Sequence, residues 1–402
     1  MTGAGLAGRL GFVAEAVRQA FGRWGPEDRP TAVGDWSSLL DLVFREGLAP
    51  IVHAGMAGSE RDLPVDVAAR LRAGYAANQV RSQVWIEPTL RRALGALSSA
   101  GVEPIVVKGA ALAYTAYRDP AHRTLSDVDL LLELGDLERA SGALRQAGFR
   151  TRGEDPAATH HARPYYWGDG QIGVELHHDV LPRPNPYLVD LAAMRARARS
   201  VRLGGVRARV LAPEDALHLA CVHVAYAHRY EWFLLRALVD ILAIVHRPAE
   251  QVDWDSFVRG VSAARTAGAV HWPLWLARRW LGAEVPTGTT EALAPPRVLG
   301  RLVGQALRPA CLVDGRRLPG PGGDVLFRLL VDASLRAGCP AAVQLGSAAR
   351  GLFPPPQRVG HLPAEVRTSP VRYAAFLARP RRLARGVFQF NRVLVQAVKE
   401  AR

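Results

Sequence analysis

Residues 105–132 read Ile105-Val-Val-Lys108-Gly109-Ala-Ala-Leu-Ala-Tyr114, then a loop through Asp119-Pro120, then Arg123-Thr-Leu-Ser-Asp127-Val-Asp129-Leu-Leu-Leu132. A short β-branched run that stops at Lys-Gly and gives way to an alanine-rich stretch predicts a strand turning into a helix. Ser126–Leu132 predicts a second strand. Alternation along that strand puts Asp127 and Asp129 on one face, their Cβ atoms roughly 7 Å apart, and Val128 and Leu130 on the other. Two carboxylates pushed together on an otherwise apolar strand repel each other and lose hydration unless a cation sits between them. Hard oxygen donors at that spacing suit Mg²⁺ or Mn²⁺, which take their remaining ligands from water and phosphate. The alternative for the same residues is an Asp-x-Asp that is simply solvated at a strand start.

The surroundings add to the metal reading. Gly109, at the strand-to-helix turn, lets backbone approach a phosphate, and a helix start there offers unpaired N–H groups. Lys108 is one of only two lysines, the other being Lys399, among 51 basic residues. A compact ammonium beside a phosphate is a reason to keep lysine at that position, although codon drift explains it as well. Downstream, Asp169-Gly170 separates Arg163–Tyr166 from Gln171–His177, which predicts a β-hairpin. Its second strand carries Glu175, a third carboxylate that would complete a two-metal site for in-line displacement at phosphorus. His177 shares the face of Glu175 by period two. Arg123, on the loop entering the aspartate strand, reads equally as a phosphate contact or a solvated arginine. Asp240 lies inside an apolar helical run, where Arg236 one turn earlier is its expected partner. The histidines at 160–161, 177–178, 218, 223 and 228 lack the tight spacing of a zinc site.

Working outward, residues 1–100 read as helices. Asp35 precedes an i, i+3/i+4 stripe of Leu39, Leu40, Val43, Phe44 and Leu48, and Val65–Val80 and Gln83–Ser99 repeat the helical spacing. Asp136 is the expected cap of a helix over Leu137–Ala147, and Gly204-Gly205 predicts a second hairpin. From Pro213 the pattern is helical again. The predicted organisation is therefore a helical region 1–100, an α/β catalytic core 101–211 and a helical region 212–402 with a basic tail, an α+β protein.

The runs Val107-Lys-Gly-Ala-Ala-Leu-Ala113, Tyr117-Arg-Asp-Pro120, Arg123–Leu132 and Leu144-Arg-Gln-Ala-Gly-Phe149 resemble a poorly characterised bacterial nucleotidyltransferase family of the DNA polymerase β-like superfamily. Gly173-Val-Glu-Leu-His177, Pro213–Ala220, Leu235–Ile241 and Asp253-Trp-Asp255 fit the same pattern, so the likeness covers most of residues 35–260. The resemblance implies a small mixed sheet with helices, and Mg²⁺-dependent transfer of a nucleotidyl group from an NTP to an acceptor. It implies that Asp127, Asp129 and Glu175 are the catalytic and metal-binding residues, and that Lys108, Gly109 and Arg123 bind nucleotide. The turn reads Lys-Gly-Ala where the wider superfamily commonly has Gly-Ser or Gly-Gly. Nothing in the sequence selects among a small molecule, a peptide, a protein and RNA as acceptor, or sets the oligomeric state. A glycosyltransferase using its DxD pair to hold a sugar nucleotide, and a non-catalytic binding protein with a degenerate core, are the rival readings.

Composition excludes other classes. The 402 residues are 49% hydrophobic with nine Trp, too much apolar surface for a disordered chain. No apolar run approaches the roughly 18 residues of a membrane span, no signal-peptide pattern opens the chain, and three scattered cysteines make no disulfide framework. These predict a soluble, reduced, cytoplasmic protein without a membrane span. The net charge of +14 points at first to nucleic acid. Residues 351–402, however, hold ten basic and two acidic residues, so more than half the excess lies in that tail.

Overall fold

The structure, a computed structural model, describes residues 3–22, 33–58, 62–152, 164–182, 185–247, 251–313 and 323–336. Two compact units are present. The first comprises Met1–Asn185, Val189–Gly260 and Trp272–Thr289, and the second Pro186–Leu188, Val261–His271 and Thr290–Arg402.

In the first unit, among the described residues, five α-helices precede the strands: α1 (Gly3–Ala20), α2 (Trp36–Arg45), α3 (Ala49–Gly55), α4 (Val65–Arg81) and α5 (Glu87–Ser99). The expected cap of α2 is present, because Asp35 accepts hydrogen bonds from Ser38 N at 3.1 Å and Ser38 Oγ at 2.6 Å. A π-helical turn, Ser82–Ile86, joins α4 to α5. α1 and α3 pack backbone to backbone at Gly55, where an added Cβ would lie 1.7 Å from the Ala16 carbonyl oxygen.

Among the described residues seven strands follow: β1 (Ile105–Val107), β2 (Asp127–Leu131), β3 (Arg150–Thr151), β4 (Tyr165–Tyr166), β5 (Gly173–His177), β6 (Arg199–Leu203) and β7 (Val206–Val210). They form one mixed sheet in the order β3-β4-β5-β2-β1-β7-β6. The two hairpins expected from Asp169-Gly170 and Gly204-Gly205 are β4–β5 and β6–β7, both antiparallel. β2 runs antiparallel to β1 and parallel to β5, while β1 and β7 are parallel. The helices interspersed with and following the strands are α6 (Lys108–Thr115), α7 (Leu137–Gln146), α8 (Leu191–Arg197), α9 (Pro213–Val222) and α10 (Leu234–Val245). α7 begins where expected but without its side-chain cap, since the Asp136 carboxylate is taken by Arg139.

One core cluster joins Val106, Val128, Leu130, Val174, Leu176 and Val210 of the sheet to Leu90, Ala93, Leu94 and Leu97 of α5 and Ala140 and Leu144 of α7. Burying each leucine or valine side chain contributes roughly 1.5–3 kcal/mol by the hydrophobic effect. The apolar halves of β2 and β5 thus anchor the sheet on α5 and α7 and leave their alternate residues for the other face. This is the α+β class expected from the sequence.

In the second unit, Arg297–Ala306 and Gly323–Leu335 are helices, and the Tyr187 hydroxyl donates to the Leu335 carbonyl at 2.7 Å. The basic tail from 351 and His160-His161 lie outside the described residues. Among the described residues no helix is long and apolar enough to cross a membrane.

Candidate active site

Strand register assembles the site. Val107 pairs with Asp129 between β1 and β2, and in the parallel pair Asp129 aligns with Glu175 and Leu131 with His177. Because side chains alternate, Asp127, Asp129, Glu175 and His177 rise from the sheet face opposite Val128 and Leu130. His177 Nε2 lies 2.7 Å from Asp129 Oδ1 and 3.3 Å from Glu175 Oε2. Lys108 Nζ donates to the same Asp129 Oδ1 at 2.7 Å. One ligand atom from each of Asp129, Glu175 and His177 falls within 4.8 Å of the others, a group able to hold a metal ion. Asp129 and His177 are buried and Glu175 is half-buried.

Lys108 opens α6 with φ +53°, a left-handed conformation that costs a non-glycine residue roughly 1–2 kcal/mol. Its ion pair with Asp129 holds it there. Gly109, by contrast, is not in the left-handed region. A Cβ on Gly109 would meet Leu125 Cδ2 at 2.8 Å and Arg123 Nη1 at 3.2 Å, so the missing side chain lets the loop that enters β2 pack closely there.

Burial would raise the pKa of Asp129, but Lys108 and His177 outweigh it and hold the carboxyl well below the usual range. Burial opposes a charge on His177, yet its hydrogen bonds to Asp129 and Glu175 raise its pKa overall. Asp127 behaves oppositely to Asp129: burial, then repulsion from Asp129 and Glu175, pushes it up to about 6. Crowded carboxylates with one member pushed toward neutrality are typical of functional sites.

These groups line a cavity of about 420 Å³ bounded by β1, α6, α9 and α10, with Lys108, Gly109, Arg123, Asp127, Asp129 and Glu175 all on its wall. Arg123 reaches the cavity but is neither a solvated loop arginine nor detached from structure. Its Nε and Nη2 donate to Asp240 Oδ1 and Oδ2 at 2.9 and 2.8 Å, and it also donates to the Thr124 carbonyl. The Tyr117 hydroxyl donates to Asp240 Oδ1 at 2.7 Å. Asp240 therefore pairs with Arg123, not with the expected Arg236. Arg236 instead stacks its guanidinium 3.8 Å from the Phe233 ring centroid, at the cavity wall. Burial, then the like charge of Arg123, lowers the Arg236 pKa to about 10.

His177, which the sequence marks only by its period-two spacing from Glu175, stands between the two carboxylates. His223, for which the sequence offers no signal beyond its lack of zinc-site spacing, lines the cavity from the π-helical turn His223–Ala227 and stacks edge-on against His228 at 4.4 Å. Burial keeps His223 neutral. His218 points elsewhere, edge-on to Phe257.

A family described as uncharacterised nucleotidyltransferases matches residues 33–282, and the chain belongs to it. It is an enzyme of the nucleotidyltransferase type, and that family implies a nucleotide substrate. No curated protein and no solved structure matches the chain.

Proposed function

We propose that the protein transfers a nucleotidyl group from an NTP to an acceptor hydroxyl, with the cleft over β1, β2 and β5 as its active site. The observation that carries this is the convergence of Asp129, Glu175 and His177, with Asp127 beside them, on the wall of one cavity in a chain of the nucleotidyltransferase family. The catalytic strands and turn of this reading lie within residues 101–211. The family assignment favours nucleotidyl transfer over the sugar-nucleotide and non-catalytic readings.

Asp127, Asp129 and Glu175 are the carboxylates that would hold Mg²⁺ or Mn²⁺, and their donor set fits such ions. A divalent cation bound there stabilises charge on the phosphates and acidifies the acceptor hydroxyl. Lys108, 2.7 Å from Asp129, is a compact cation placed to face the polyphosphate. Arg123 adds positive potential while Asp240 fixes its orientation. The acceptor oxygen forms a bond to the α-phosphorus, the bond from that phosphorus to the β-bridging oxygen breaks, and pyrophosphate leaves. Glu175, on the cavity wall, takes the hydroxyl proton. A small molecule, a peptide, a protein and RNA are all acceptors compatible with this chemistry.

The test is transfer of label from NTPs into candidate acceptors. Label at the α-phosphate is expected to appear in product and label at the γ-phosphate is not, with Asp127→Ala and Asp129→Asn abolishing transfer. Transfer of the γ-label, of sugar from a UDP- or GDP-sugar, or indifference to both substitutions would overturn the proposal.

A further inference from the structure

The third donor nearest Asp129 and Glu175 is an imidazole. We infer that His177 is itself a metal ligand, through Nε2, and that it shifts this cation site from Mg²⁺ toward divalent first-row transition ions, for which Mn²⁺ serves as the paramagnetic probe. The inference rests on the active-site reading above and goes past the all-carboxylate set proposed there.

Three observations support it. First, β5 sends Glu175 and His177 to the same face, two residues apart, opposite Asp129 and Leu131 of β2. This places His177 diagonally across from Asp129, and the distances of 2.7 and 3.3 Å to the two carboxylates follow. Second, the donor atoms of Asp129, Glu175 and His177 lie within 4.8 Å of one another, close enough for one ion to touch all three. Asp127 is not part of that set. It remains on the same face for a second ion or for the substrate side of the first. Third, His177 is buried, with its side chain 3% exposed, and its ring nitrogen points at the carboxylates. Burying an imidazole between two acids costs desolvation, and one shared cation removes the repulsion between those acids.

The donor set then fixes the preference. Mg²⁺ favours oxygen ligands and retained water. Imidazole nitrogen is a better ligand for ions further along the first transition row, so two carboxylates and one imidazole favour those ions. The alternative role for His177 is to orient Asp129 by a hydrogen bond without touching the ion.

Pulsed electron paramagnetic resonance on the full chain, stripped of metal and loaded with Mn²⁺, distinguishes the two roles without reference to activity. The expected result is a bound Mn²⁺ signal carrying ¹⁴N modulation from imidazole, lost in His177→Gln. Mn²⁺ affinity of that variant should fall by at least the ~10-fold typical for loss of even an outer-shell partner. Mg²⁺ affinity, by competition, should change much less. His177→Asp should lose the ¹⁴N signal and shift preference toward Mg²⁺. The wild-type spectrum requires no variant to fold. Bound Mn²⁺ without ¹⁴N modulation would overturn the inference and leave the carboxylate site standing. Failure of the wild-type chain to bind any divalent ion would overturn both.

Discussion

Asp240 fixes Arg123 by two hydrogen bonds in a pair whose side chains are 8% and 11% exposed. Burial works against the Arg123 charge, and Asp240 more than restores it. Removing the acid leaves a buried guanidinium without its counter-ion, so Asp240→Ala is expected to cost about 3–5 kcal/mol in urea unfolding. Tyr117→Phe deletes only a hydrogen bond to the same carboxylate and should cost about 1 kcal/mol. Equal losses would show that the pair is not the stabilising element. Asp127 gives a second expectation. With its pKa at about 6, a proton competes with the cation below that pH. Affinity for a divalent ion should therefore fall as pH drops through 6, and Asp127→Asn should flatten this limb of the metal titration. The aspartate pair and Glu175 were legible in the sequence because alternation is a local rule. The Arg123–Asp240 pair was not, since its members are 117 residues apart and the nearer Arg236 offered a plausible local partner.

Among elements, hairpins and helices follow from turn residues and periodicity, whereas sheet order does not. Asp-Gly and Gly-Gly mark the β4–β5 and β6–β7 turns in the sequence itself. Nothing local states that β2 lies between β1 and β5, antiparallel to one and parallel to the other, because that order is chosen by how the apolar faces pack on α5 and α7. That order nevertheless makes the site: a one-residue slip of β5 against β2 would turn Glu175 and His177 into the core. The α1–α3 contact shows the same dependence on packing. The missing side chain at Gly55 lets α3 meet the Ala16 carbonyl, and the helical pattern alone predicts no such contact. Gly55→Ala is expected to separate the two helices and lower stability by about 1–3 kcal/mol, measured as a fall in Tm. An unchanged Tm would mean that this interface yields freely.

For the molecule as a whole, charge and pH are the informative handles. Most of the positive excess lies in residues 351–402, outside the described structure, and the cleft is a local mixture of both signs. Acid stability should report His218. Burial, then the positive Arg197, lowers its pKa to about 4, below the ~6.5 of the unfolded chain. As pH falls from 6.5 to 4 the unfolded state takes up a proton that the folded state refuses. Stability is then lost across that window, by about 3 kcal/mol, with no further loss from this group below it. His218→Gln should reduce the slope of unfolding free energy against pH between 4 and 6.5. The claim that the carboxylate-lined cleft is a cation-dependent nucleotide site is tested most directly by calorimetric titration of a non-hydrolysable NTP into the full chain. Binding is expected with Mn²⁺ or Mg²⁺ present and lost with chelator or in Asp129→Asn. Equal binding without a divalent ion, or undiminished binding by Asp129→Asn, would contradict it.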